Sequence, residues 1–192
     1  PMGYDNGTII ARATADGLVS FYDYSQLDRT RLGKIDAPCF LLTNAQTKLL
    51  LAEAVTRTWA VGDAAALYAE GIRAHMVEMT QSSTASTIPT ADIDAYLAAH
   101  PLDVGNALRD INTQYWVASF LNGPEAFANF RRSGFPALTK NPYPAQEIST
   151  GDFVRKLTYP DTELGINVAN VQEAITRQGG NKLDTRVWWD KP

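Results

Sequence analysis

The sequence predicts a mainly α-helical protein: helical hairpins joined by long irregular loops, with room for one short β-hairpin. Three observations carry this. From Thr43 onward, apolar residues recur three and four positions apart, the spacing of a helix face. Residues that start and stop helices bracket these stretches, among them Asp63, Pro124, Gly134 and the pair Gly179-Gly180. Strand-like alternation is confined to residues 8–12 and 17–21, before the helical pattern begins.

Residues 1–40 read as an irregular lead-in rich in Gly, Asp and Thr, with aromatics at Tyr4, Phe21, Tyr22 and Tyr24. Asn6-Gly7-Thr8 has the form of a glycosylation acceptor, but Asn-Gly as a turn is the better reading. Thr43 and Gln46 then form a capping box, in which each side chain serves the other's backbone N–H. Ala45, Leu49, Ala52, Thr56 and Trp59 make the face of a first helix, flanked by Leu50, Leu51, Ala54 and Val55. Gly62-Asp63 closes it and caps a second, with Ala64, Leu67, Tyr68, Gly71, Ile72, His75 and Met79 on one face. So short a turn makes residues 43–80 an antiparallel helical hairpin.

Ala52, Ala64, Tyr68 and Gly71 stand where a tetratricopeptide hairpin places small, small, aromatic and small residues. Small side chains let the helices approach closely, and the aromatic fills the space beside them. A single hairpin cannot bury both faces. An apolar patch on residues 44–80 is therefore expected to stay exposed in the isolated chain.

Helices and loops fill residues 90–192. After a Ser/Thr loop at 81–89, Thr90 caps a helix with Asp92 and Asp94 in its first turn, ended by Pro101. Asp103 starts a long helix to Leu121, with Leu108, Ile111, Tyr115 and Ala118 on its buried stripe and Trp116 beside it. A short helix follows: Pro124 in the first turn, where its missing N–H costs nothing, and Glu125 and the pair Arg131-Arg132 at the ends their charges favour. Gly134 and Pro136 stop it. Residues 140–152 form a proline-rich connector, and 153–157 a brief extended stretch. A helix after Pro160 carries Leu164, Val168, Val171 and Ile175 and ends at Gly179-Gly180; the tail, 183–189, packs back.

Composition narrows the function. At 192 residues, 45% hydrophobic and 20% charged, the chain suits one packed core, with room for a satellite lobe. A net charge of −4 argues against a nucleic-acid surface, and lysines and arginines form no polybasic membrane stripe. No apolar run approaches the roughly 20 residues needed to span a bilayer. The single cysteine, Cys39, excludes a disulfide within the chain and reads as a small buried hydrophobe.

Candidate chemistry is thin. His75 and His100 lie on different elements without clustered acids, so no metal-ligand spacing exists. Nucleophile elbows, phosphate-cradling loops and dinucleotide fingerprints are absent, and no cofactor is called for. Asp92 and Asp94, two apart on a helix, face different ways and suit a helix N-terminus. Arg131 and Arg132 could clamp a carboxylate or a sugar hydroxyl. The preferred reading is a staple to an internal acid such as Glu53, Glu125 or Glu163, because a guanidinium fork beside a Gly-Pro stop fixes the chain in place. Trp188 and Trp189 could stack on sugar rings, but the preferred reading is that they plug a core. Tyr22, Tyr24 and Tyr143, in loops, are better placed for ligand contact.

The run Gly123-Pro124-Glu125-Ala126 through Arg131-Arg132-Ser133-Gly134-Phe135-Pro136 resembles the helix-to-loop stretch of the SusD/RagB family of outer-membrane, nutrient-binding lipoproteins. Three further stretches match in order. They are Leu41-Leu42-Thr43-Asn44-Ala45 with Leu51-Ala52-Glu53-Ala54, Trp59 and Gly71-Ile72-Arg73; then Arg155, Tyr159-Pro160, Glu163 and Asn167; then Arg186-Val187-Trp188-Trp189-Asp190. Asn44, in place of tyrosine or alanine, and His75, in place of serine, depart from the family pattern.

The resemblance implies that residues 1–192 are the C-terminal part of a longer SusD-like protein, whose preceding part supplies the lipid anchor, neighbouring hairpins and most of the ligand site. No matched motif maps onto a binding residue. It implies non-catalytic capture of a nutrient, an oligosaccharide first and a peptide second, at the outer membrane. Delivery would be to a SusC-like TonB-dependent transporter. A helical-repeat scaffold for another protein is the alternative, and a glycoside hydrolase, needing two carboxylates across a cleft, comes last.

Overall fold

A computed structural model describes residues 14–138 and 153–190. The chain divides into two compact units. One spans Ser25–Ala137; the other joins residues up to Tyr24 with those from Leu138 onward.

The first unit holds five α-helices: α1 Asn44–Thr56, α2 Ala64–Ser82, α3 Thr90–Ala99, α4 Ala107–Ala118 and α5 Gly123–Ser133. The Thr43/Gln46 box closes as the sequence predicts: Gln46 N–H donates to Thr43 Oγ1 at 3.2 Å, and Thr43 N–H to Gln46 Oε1 at 3.0 Å. Asp63 caps α2 through the N–H groups of Ala65 and Ala66. α1 and α2 pack as the expected hairpin, and α4 packs on both. Ala45, Leu49 and Ala52 of α1, Tyr68 and Ile72 of α2, and Ala107, Ile111, Tyr115 and Ala118 of α4 form one buried cluster. Gly71 is where α2 meets α1. A Cβ there would stand 2.7 Å from Leu49 Cγ, so only hydrogen fits.

Several boundaries differ from the sequence expectation. α1 stops at Thr56, leaving Trp59 outside it and 73% exposed. The cause is a left-handed Thr58 (φ 61°): Trp59 N–H returns to Ala54 O and Thr58 N–H to Val55 O, the paired bonds that close a helix C-terminus. Pro89, not Thr90, is the N-cap of α3, and no side chain caps it. The helix expected from Asp103 to Leu121 is shorter. Asp103 caps a single 3₁₀ turn at Val104–Asn106, and α4 ends at Ala118. α5 keeps its expected ends: Asn122 Oδ1 accepts from Glu125 N–H at 3.3 Å, and Gly134 is left-handed. On the hairpin, the apolar side chains of Leu50, Leu51 and Val77 are exposed.

In the second unit the helix expected after Pro160 is two, α6 Asp161–Ile166 and α7 Val168–Gln178, broken at Asn167. Val171 is buried, whereas Val168 is 57% exposed. Gly179 and Gly180 stop α7 with the same paired bonds that close α1. The half of the permitted hairpin at residues 17–21 is not a strand. Asp23 Oδ2 accepts from the N–H groups of Val19 and Ser20 and bends the chain into a 3₁₀ turn at Phe21–Asp23. Residues 8–12, the connector 140–152 and Tyr143 lie outside the described residues.

Candidate functional site

Of the two arginines at the end of α5, Arg132 makes the long-range staple. Its guanidinium forks onto Glu53 of α1, 79 residues away, with Nη2 to Oε2 at 2.8 Å and Nη1 to Oε1. Glu53 also accepts from Arg57 Nε at 2.8 Å, and Arg132 Nη2 reaches Asn129 Oδ1 at 2.8 Å and Asn112 Oδ1 at 3.1 Å. Burial alone would push the Glu53 carboxyl up; the hydrogen bonds and charges of Arg132 and Arg57 outweigh it and hold the carboxyl below its ordinary range. Arg131 lies over the Phe127 ring, 4.3 Å from its centre. Of the other acids considered for the staple, Glu125 accepts from Tyr115 Oη at 2.7 Å, and Glu163 from Asn167 Nδ2. Burial, then that bond to Glu125, pushes the Tyr115 phenol above its usual range.

Asn112 and Asn129, which complete this network, were invisible to sequence reasoning, because helix-borne asparagines look like surface. Their signal is position: Asn112 follows Ile111 on the buried stripe, and Asn129 precedes Arg132 by one turn.

A second staple closes the other unit. Asp190, 2% exposed, takes Arg186 Nη1 at 2.8 Å and Arg155 Nη1 at 3.4 Å. The backbone N–H groups of Arg155 and Lys156 both donate to Leu183 O, and Asn181 Oδ1 accepts from Tyr159 N–H and Lys156 Nζ. The tail therefore packs back as expected, on residues 155–159, and Trp188 stays outside that packing. Trp188 is 85% exposed and Trp189 37%. The core-plug reading fails for Trp188, because the 183–190 turn aims Asp190 inward and leaves Trp188 outside. Among the loop tyrosines, Tyr22 is exposed, while Tyr24 donates to Asp16 Oδ2 at 2.6 Å. Cys39 is also exposed, contrary to its reading as a buried hydrophobe, because residues 32–41 run irregularly over the helices.

A well-defined concavity lies in the first unit. A cavity of about 440 Å³ opens between residues 32–41, the start of α1, the second half of α2 and the turn from α4 to α5. A second and more open one, about 380 Å³, shares His75, Phe120 and Leu121 with it. Helical spacing puts His75, Glu78, Met79 and Ser82 on the face of α2 that lines the first cavity. His75 Nδ1 is buried without a hydrogen-bond partner, and burial pushes its ring toward the neutral form. Burial likewise pushes the Glu78 carboxyl up, opposed by the Thr43 hydroxyl. His100 takes no part: it stacks on Tyr96 at the end of α3, with Nδ1 2.9 Å from Tyr96 O. Asp94 instead pairs with Arg73 of α2, and Asp92 stays at the N-terminus of α3.

Helical hairpins in close contact through small residues, with loops tied down by buried arginine–carboxylate staples, define an all-α protein of tetratricopeptide-like packing. The family described as starch-binding and associating with the outer membrane, SusD-like, matches residues 5–160. Solved structures agree. A chitin-binding protein is 33% identical with a TM-score of 0.71, over 81% of this chain and 34% of that one. A Bacteroidetes SusD-like protein is 29% identical with a TM-score of 0.77, over 100% of this chain and 40% of that one. A SusD homologue from Bacteroides fragilis is 30% identical with a TM-score of 0.65, over 77% and 34%. No curated protein matches significantly. The chain belongs to the SusD-like family, and it spans 34 to 40% of the length of these solved relatives.

Proposed function

We propose that the protein carrying this chain captures an oligosaccharide at the outer membrane and passes it to a SusC-like TonB-dependent transporter, with no covalent bond made or broken. The observation that carries this reading is the family match over residues 5–160, whose description is starch binding in association with the outer membrane. The chitin-binding relative supports a carbohydrate ligand. Membrane attachment is through a lipid anchor. No described helix is long and apolar enough to cross a membrane.

The chain's own part in capture is chiefly structural. The Glu53–Arg132 and Asp190–Arg155–Arg186 staples spend their donors internally and leave the guanidiniums little to offer a ligand. Exposed rings of Tyr22 and Trp188 provide flat apolar faces on which a pyranose can stack. The remaining ligand contacts come from the part of the protein outside this chain.

The test is incubation of the full-length protein with a panel of soluble glycans, measuring retention by affinity electrophoresis and release of new reducing ends. Retention without new reducing ends is the expected result. New reducing ends overturn the reading. Retention of peptides alone changes the ligand class to that of a peptide receptor, and retention of neither favours a protein-interaction scaffold.

A further inference from the structure

The cavity beside α2 holds a group that the packing of this chain does not explain. Glu78 is 8% exposed, and among the described residues no cation acts on its carboxyl. A buried carboxylate without a counter-charge is costly, which is why such groups normally sit beside an arginine or lysine, as Glu53 does here. One turn before Glu78, on the same face, His75 leaves its Nδ1 buried and unpartnered. Thr43, Gln46, Ser82 and Asn122 also line the space, Gln46 already bonded to Thr43 and Ser119 and Asn122 to Glu125 N–H. The rest of the wall is apolar and partly aromatic, from Phe40, Met79, Phe120 and Leu121. At about 440 Å³ the space is that of a small-molecule site.

We propose that this cavity binds a small organic cation, an ammonium head on an apolar body. The head sits at Glu78 and His75, and the body lies against the Phe40 and Phe120 rings. Each feature selects for that chemistry. The carboxylate rejects anions. A hydrocarbon would leave the carboxylate desolvated, with the Thr43 hydroxyl and no counter-charge beside it. A sugar carries no charge to offset that of Glu78, and Thr43, Gln46 and Asn122 already spend hydrogen bonds within the chain, so hydroxyls left unmet there would each cost about 1–3 kcal/mol. An ammonium neutralises Glu78, and a second N–H can go to the unprotonated nitrogen of a neutral His75 ring. The aromatic walls pack against the apolar body. The site goes beyond glycan capture and stands or falls independently of it.

The probe is phenethylamine, with 2-phenylethanol as its neutral counterpart, titrated calorimetrically into the full-length protein. The expected result is that the amine binds at least about tenfold tighter than the alcohol, the effect of one charge-assisted hydrogen bond. Glu78→Gln, which removes the charge at constant shape, is expected to abolish that preference while melting no earlier than the parent. Equal affinities, a preference that survives in Glu78→Gln, or no amine binding because the rest of the protein fills the cavity would each overturn the proposal. The amine–alcohol comparison is made on the unaltered protein and needs no variant to fold. The glycan assay is separate, so failure here leaves the proposed function untouched.

Discussion

Glu53 shows how one residue can hold a fold together without taking part in chemistry. It is buried in α1, takes two arginines, and joins the start of the helical pattern to the end of α5. Removing Arg132 would strand a buried carboxylate with Arg57 alone, so Arg132→Met is expected to cost about 2–3 kcal/mol, just short of the usual loss on breaking a buried pair. The double variant Glu53→Gln/Arg132→Met is expected to lose clearly less than the sum of the two single changes. Urea denaturation of all three checks both statements. Arg131, one residue earlier, was indistinguishable from Arg132 in sequence. Only the phase of α5 sends one toward Glu53 and the other onto Phe127.

At the level of elements, the hairpin of α1 and α2 depends on a missing side chain. With a would-be Cβ of residue 71 only 2.7 Å from Leu49 Cγ, Gly71→Ala overpacks the contact and is expected to destabilise by about 1–3 kcal/mol. Leu49→Ala opens the same space. The double variant Gly71→Ala/Leu49→Ala should therefore fall short of the summed losses, as read from denaturation midpoints. Caps written in side chains, such as Thr43/Gln46 and Asp63, were legible before the structure. So were the glycine stops after α5 and α7. The end of α1 was not, because its left-handed position is held by Thr58, a β-branched residue that rarely adopts it. Trp59, which by spacing alone belongs to the helix face, is turned outward as a result.

Across the whole molecule, buried titratable groups make stability depend on pH. The folded state disfavours charging His75, so its contribution falls as pH drops through the ordinary histidine value of 6.5, where the unfolded chain takes up the proton more readily. Glu78 acts in the opposite sense. Its carboxyl is pushed above the ordinary value of 4.5, so the folded chain holds that proton longer and gains stability as pH falls toward 4.5. Glu53 contributes fully above 4.5 and loses its contribution as pH falls below it. Urea midpoints measured from pH 8 to pH 4 are expected to show a flatter slope below 6.5 in His75→Gln and a steeper one in Glu78→Gln.

The sequence by itself determined the α-helical class, the hairpin with its small-residue contact, most helix caps and the family. Each of these rests on residues near one another in the chain or on ordered motifs along it. It also narrowed the arginine staple to three acids. Tertiary structure alone decided that Glu53 is the one used, that Asn112 and Asn129 complete the network, and that Asp190 rather than Trp188 anchors the tail. It alone revealed Glu78 as a buried carboxyl on which no cation among the described residues acts. The physical reason is shared: a side chain's partner and its exposure depend on how helices far apart in sequence are rotated and placed against one another, and local spacing carries no record of that.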